Sequence, residues 1–342
     1  MRLKALICTI TFCILLCACG SDPTDNSQIV LTTGFEEGEL FYVGDNKCYV
    51  PEAKVYIRNL EDGYESVYGE DIMERSVGDT SVSDKLTSMA LSRLAEVKAL
   101  GILASDRDIT LSERDIEKCG KAADRYMGSL SDADRKDLEI TPELLLSMYE
   151  DYALAYNVYN DITKDVNPEI SDDEARIITI QRILIPNGDE EQAAQTANII
   201  YAKLSEGEGF DTLTDEYNGS GESKYSFGKD TDDFPPDFVN ACFELSTDEV
   251  SSPIVTDEGI SIVKCLSSYD RERTDANKIR LVNDRKSEAF DKVYSSFVKE
   301  LQTNFNSELW NGQELSDRKL DSEENFFRIY DDVFGSPDFS KS

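Results

Sequence analysis

Histidine is absent from all 342 residues. With it go the side chain that titrates nearest neutral pH, the commonest zinc ligand, and every Ser-His-Asp or Cys-His arrangement for nucleophilic catalysis. Basic residues are also scarce. The 35 Lys and Arg stand against 69 Asp and Glu, and a formal charge of −34 repels nucleic-acid phosphates, which excludes nucleic acid as a partner. None of Cys48, Cys119, Cys242 and Cys265 stands in a Cys-x-x-Cys arrangement, so neither a zinc nor a redox spelling is present, and no metal or cofactor site is expected. These four are either paired as disulfides or buried as small hydrophobes, and the scattered spacing favours buried thiols. At roughly 100–200 residues per domain, the length accommodates two packed domains with a leader and a tail.

Arg2 and Lys4 precede an apolar run, Ala5 to Leu16, which has the length of a signal-peptide core and falls short of a membrane span. The run ends Leu16-Cys17-Ala18-Cys19-Gly20, which resembles the bacterial lipobox. That resemblance implies a lipoprotein signal peptide over 1–18, lipidation of Cys19, attachment to the outside of the cell membrane, and a polar tether over 19–28. The alternative is an ordinary secretory leader or an uncleaved anchor.

Residues 29–166 read as mostly helical, with one short strand at Ile29 to Thr33. Leu86, Ala90, Leu94, Val97 and Gly101 recur at helical steps, as do Leu145, Met148, Tyr152, Ala155, Tyr159 and Ile162. Thr110 with Glu113 spells a capping box, and Thr141 before Pro142 spells an N-cap with proline in the first turn. Beyond a break at 165–173 the period changes. A β-rich run at Arg176 to Ile185 is followed by helices over Glu190 to Ser205 and Phe210 to Tyr217 and a Gly/Ser loop over Asn218 to Ser226. A helix over Asp237 to Leu245 and a strand over Gly259 to Cys265 complete an α+β unit at 172–268. Phe290, Tyr294, Phe297, Leu301, Phe305 and Leu309 then form one stripe, predicting a long helix over 274–312 that docks on the N-terminal lobe. The acidic tail 313–342, with Phe326, Phe327, Ile329, Tyr330 and Phe334, is either docked or frayed. The fold class expected is α+β: a mostly helical, chaperone-like lobe, made of the N-terminal half and the C-terminal helix, with the α+β unit inserted around a small antiparallel sheet.

Residues 180–265 resemble the parvulin family of peptidyl-prolyl isomerases. Ile180-Gln-Arg-Ile-Leu-Ile185 stands at the family's Ala-Ser-His-Ile-Leu-Val strand. Glu206-Gly-Glu-Gly-Phe-Asp-Thr-Leu-Thr-Asp-Glu-Tyr217 stands at its Glu-Gly-x-x-Phe-x-x-Leu-Ala-x-x-Tyr helix turn. Phe227-Gly228, Phe234 to Phe238, Ala241-Cys-Phe243-x-Leu245 and Gly259-Ile-Ser-Ile-Val-Lys264 follow in the family's order. With the lipobox and the split helical lobe, the whole chain looks like an extracytoplasmic foldase of the PrsA/SurA type.

The departures are specific. Arg182 and Ser261 stand where the family has its two histidines, and the catalytic-loop Cys or Asp falls on Ser220. The resemblance therefore implies Arg182, Ser220 and Ser261 as the polar catalytic set and Phe227, Phe234 and Phe238 as the proline-binding floor. Rotation about a prolyl bond makes and breaks no covalent bond, so losing the imidazoles weakens a network without deleting the chemical agent. The expectation is a peptidyl-prolyl isomerase of reduced activity acting on unfolded or partly folded secreted chains. The alternative is a non-catalytic holdase that grips such chains through the helical lobe. Pairing of two copies through their lobes stays open.

Overall fold

The computed structural model describes residues 34–219, 221–313, 319–322 and 324–335. The leader, Cys19, the tether, the strand expected at Ile29 to Thr33 and Ser220 lie outside the described residues.

The described chain enters through a hairpin of β1 (Glu39–Val43) and β2 (Asn46–Tyr49), inside the stretch expected to be mostly helical, because each strand finds its partner edge across the turn. Gly44 turns it at φ +55, a left-handed conformation that favours glycine, and a Cβ there would push on the end of the Ile102 side chain at 2.6 Å. Helix α1 (Val50–Tyr68) follows, begun by Pro51 and by the Glu52 carboxylate accepting from Tyr49 N–H. A short hairpin, β3 (Ser76–Val77) and β4 (Thr80–Ser81), leads to α2 (Val82–Asp106). Next come α3 (Glu113–Ser129), α4 (Asp132–Leu138) and α5 (Pro142–Thr163).

The capping box expected at Thr110 and Glu113 lies elsewhere. Ser112 caps α3 and Asp115 returns the bond, because that Ser-x-x-Asp pair offers both halves of the box two residues later. Thr141 caps α5 as read, accepting from Leu144 N–H. Ala90, Leu94 and Val97 of α2 and Leu145, Met148, Tyr152 and Ala155 of α5 are buried in one helical core, and Leu86 of α2 is buried as well. Lys98 ties that core ionically, reaching Glu52 at 2.7 Å and Asp151 at 2.8 Å.

After α6 (Asp172–Ala175) comes β5 (Ile178–Pro186), then α7 (Glu190–Ser205), α8 (Phe210–Asn218), β6 (Lys224–Phe227), α9 (Pro236–Phe243), β7 (Ile254–Thr256) and β8 (Gly259–Ser267). The four strands form one antiparallel sheet in the order β6-β5-β8-β7. The loop expected over Asn218 to Ser226 ends in β6. Tyr225 and Phe227 alternate there with the polar Lys224 and Ser226, and Phe227 pairs with Ile178. The sheet has two dressed faces. Ile178, Ile180 and Val263 pack with Phe227, Phe238, Val239 and Phe243, whereas Ile183, Ile185 and Ile262 pack with Ala197, Ile200, Phe210 and Leu213 of α7 and α8.

Helix α10 (Arg271–Val298) returns to the lobe, where Phe290 and Tyr294 join the helical core and Phe290 meets Tyr159 at 5.3 Å. The continuous helix expected over 274–312 ends at Val298. Phe305 belongs to β9 (Thr303–Phe305), which pairs with β1, and Leu309 to the short α11 (Ser307–Asn311). The break has a partner: Asn306 donates to Glu39 O, its backbone N–H donates to Leu40 O, and its side chain caps α11. Helix α12 (Phe326–Phe334) is docked. Phe326 is fully buried, stacked on Tyr149 at 4.1 Å and edge-on to Tyr126 and Tyr152. Its N–H donates to Asn59 Oδ1 and its carbonyl accepts from Tyr149, so the interior position leaves no backbone group unmet. Cys48, Cys119, Cys242 and Cys265 are free and buried, and burial pushes the Cys119 and Cys242 thiols up to about 12. No helix among the described residues is long and apolar enough to cross a membrane.

Candidate functional site

Alternation along β5 sends Ile178, Ile180 and Arg182 to the α9 side of the sheet, and the register sets Arg182 opposite Val263. Ser261, two residues along β8, therefore lies on the same face within diagonal reach. The contact is made: Arg182 Nε donates to Ser261 Oγ at 2.8 Å, with both residues buried. The two positions that carry the family's histidines are thus bonded to one another through a guanidinium and a hydroxyl.

A guanidinium side chain only 7% exposed requires compensation, because an unpaired buried charge costs several kcal/mol. Glu258, 60% exposed, supplies it from the rim, accepting from Arg182 Nη2 at 2.7 Å. The turn that carries Glu258 is clamped to the end of β5. Asn187 N–H donates to Glu258 O, Asn187 Nδ2 donates to Asp257 O, and Gly259 adopts φ +140 where a Cβ would lie 2.0 Å from Ile185 O. From the other side Asn218, the last residue of α8, bridges the strand backbone by donating to Arg182 O and accepting from Leu184 N–H.

Under this polar pair lie the phenylalanines. Phe234 packs tilted against Phe238 at 4.9 Å and against Phe227 at 5.1 Å, and the Arg182 guanidinium carbon lies 5.2 Å from the Phe238 ring and 5.8 Å from that of Phe234. Cation–π contacts of this kind contribute about 0.5–2 kcal/mol when desolvated. The three rings are not equivalent. Phe238 (0% exposed) and Phe227 (6%) belong to the interior, while Phe234 is half-buried and keeps a side toward solvent. Tyr225, half-buried, stands edge-on to Phe234 at 5.3 Å, and its phenol is raised above the usual tyrosine range chiefly by desolvation. Arg182, Ser261 and the three phenylalanines are thus gathered on one face; Ser220 lies outside the described residues. Sequence reasoning missed Glu258, whose signal was its place before the turn glycine, and Tyr225, hidden in a stretch read as loop. Among the described residues no group of three Cys, Asp or Glu side chains is arranged to hold a metal ion.

The unit is thus an antiparallel four-stranded sheet with an aromatic cluster beside a buried polar pair. Residues 178–267 match the rotamase family described as the PPIC-type PPIASE domain, and this unit is a parvulin-type peptidyl-prolyl isomerase domain. The longer chain is similar to foldase protein PrsA of Caldanaerobacter subterraneus subsp. tengcongensis, 25% identical over 252 residues, covering 68% of this chain and 74% of that protein. It is likewise similar to foldase protein PrsA of Clostridium botulinum, 24% identical over 262 residues, covering 68% of this chain and 76% of that protein. Among solved structures it is similar to PrsA from Bacillus subtilis, 20% identical, covering 78% of this chain and 98% of that one at a TM-score of 0.26.

Proposed function

We propose that the chain is a lipid-anchored extracytoplasmic foldase that accelerates cis/trans isomerisation of prolyl bonds in unfolded or partly folded secreted polypeptides. The observation that carries this reading is the open side of Phe234, seated on buried Phe227 and Phe238 and flanked by the Arg182–Ser261 pair. Rotation about the prolyl amide faces a barrier of about 18–20 kcal/mol, and only contacts stronger in the twisted state than in either planar isomer lower it. An apolar seat for the pyrrolidine ring disfavours the dipolar planar amide, and a rigid floor holds the ring while the preceding carbonyl turns. In this reading Arg182 and Ser261 fix that floor, and Ser220 completes the polar set that the family resemblance implies. No proton transfer is required, so the absence of imidazole predicts a rate without the inflection between pH 5 and 8 that a titrating histidine imposes.

The test is isomerisation of a short Ala-Ala-Pro-Phe peptide by the full chain beside Phe234→Ala. Acceleration by the full chain, reduced about tenfold or more in the variant, is expected. No acceleration, or acceleration indifferent to Phe234, overturns the enzymatic reading and leaves the holdase, which suppression of client aggregation by both proteins alike would support. Anchoring rests on the lipobox spelling: Cys19→Ser is expected to move the protein from the membrane pellet to the soluble fraction, and continued pelleting overturns it.

A further inference from the structure

The mouth of this site carries more acid than the buried pair consumes. Glu258 accepts from Arg182 through Oε2, and its Oε1 has no hydrogen-bond partner among the described residues. Glu222, at the start of the β6 arm, accepts the Tyr225 hydroxyl through its backbone carbonyl and leaves its own carboxylate in solvent. Both carboxylates lie within electrostatic reach of the Tyr225 phenol, which Arg182 opposes. Asp232 and Asp233 precede Phe234, Asp237 opens α9 and Asp257 shares the turn with Glu258, all exposed. Of the nearby lysines, Lys224 faces the other side of the sheet, 3.6 Å from Asp211, and Lys229 lies over the Phe243 ring at 5.7 Å and pairs with Asp173.

Carboxylates alone would be a solvated rim. Two further features make a receptor of them. The Tyr225 ring stands beside Phe234, so a side chain adjacent to a proline seated on Phe234 crosses an aromatic surface before it meets an acid. Arg182 directs Nε to Ser261 and Nη2 to Glu258, which leaves Nη1, not sealed from solvent, without a hydrogen-bond partner among the described residues. That donor suits the carbonyl of the residue before the proline, which turns the side chain of the same residue toward Tyr225.

We infer that the site selects prolines preceded by lysine or arginine, with Glu258 and Glu222 as the specificity-determining residues and the Tyr225 ring as the surface under the cation. This rests on the isomerase reading of the same site. A cation over an aromatic ring beside one or two partly exposed carboxylates corresponds to about a tenfold preference at low salt. Acidic residues before the proline meet like charge, and the preference narrows as ionic strength rises.

The experiment compares Ala-Lys-Pro-Phe, Ala-Ala-Pro-Phe and Ala-Glu-Pro-Phe peptides with the full chain at low and high salt. It reads kcat/KM by isomerisation and, independently of turnover, affinity by NMR titration. The expected order is Lys, Ala, Glu, with about a tenfold span between the ends that shrinks in Glu258→Gln and in Glu222→Gln. The Glu222 variant leaves the Arg182–Glu258 bond in place, so it separates charge at the mouth from damage to the floor. Equal affinities for the Lys and Glu peptides, or a preference unchanged by both substitutions, overturn the inference. A Lys preference in affinity without acceleration of any peptide keeps it and overturns the isomerase reading instead.

Discussion

Each half of the molecule gathers its aromatic rings around one phenylalanine, and the two gatherings are finished differently. In the helical lobe Phe326 is sealed among Tyr56, Tyr126, Tyr149, Tyr152 and Phe327, with its backbone held by Asn59 and Tyr149. Arg125 closes the outside by forking onto Glu324 and reaching Asp332 at 3.0 Å. In the isomerase domain Phe234 has rings beneath it, a half-open side, and a guanidinium where the lobe has another tyrosine. Rings closed on every side join distant segments into one core. Rings left open beside a compensated charge form a surface whose remaining partner comes from outside the chain.

The largest expected effect breaks the sealed side. Phe326→Ala removes a fully buried ring from the junction of α1, α3, α5 and α12 and is expected to cost about 3–5 kcal/mol, read as a lowered denaturation midpoint at unchanged slope. A cost below about 1 kcal/mol would mean that α12 is not part of the lobe's cooperative unit. Arg182→Ala comes next, at about 2–3 kcal/mol, since it leaves a hole beside Phe238 and strips Ser261 of its donor. Arg182→Met, which refills the volume without the charge, is expected to recover most of that loss, because a buried ion pair contributes little beyond well-packed apolar atoms. If Arg182→Met is as unstable as Arg182→Ala, the guanidinium holds the floor by its bonds rather than by its bulk. Phe234→Ala sharpens the contrast from the open side: half-buried, it is expected to cost only about 1–2 kcal/mol while carrying the largest loss of isomerisation.

How far these regions were legible follows from the range of the interactions that build them. Helices α2, α5 and α7 are long and periodic, and α7 spans Glu190–Ser205 as its stripe indicated. Strand β9 could not be read in that way. Thr303–Phe305 has no β signal of its own and is a strand because Phe41–Val43, at the far end of the chain, supplies the partner edge. The apolar set of α12 was visible, but its docking depends on tyrosines from three distant helices. At the site, Arg182 and Ser261 stood out by replacing histidines, whereas their bond follows from a strand register that no local pattern prints. Glu258 acquires its part from a glycine turn pressed against Ile185, which is a property of the fold rather than of the motif.

An effect that shows only across a pH interval concerns the seam between α2 and α10. Burial there raises the Glu96 carboxyl to about 7, opposed by Arg93 on the same helix and reinforced by Asp291 of α10, whose own carboxyl burial also raises. The folded protein therefore holds a proton on Glu96 that the unfolded chain releases near pH 4.5, the ordinary carboxyl value. In the linkage relation the native state binds more protons across that interval, so stability falls as pH rises from about 4.5 to about 7 and is flat above it. Glu96→Gln keeps the hydrogen-bonding shape and cannot ionise. It is expected to leave stability at pH 4.5 nearly unchanged and to raise it at pH 8 by about 3 kcal/mol, measured as the difference in denaturation midpoint at the two pH values. An equal effect at both would show that Glu96 meets water in the folded state and that this seam, like the mouth above Phe234, is open.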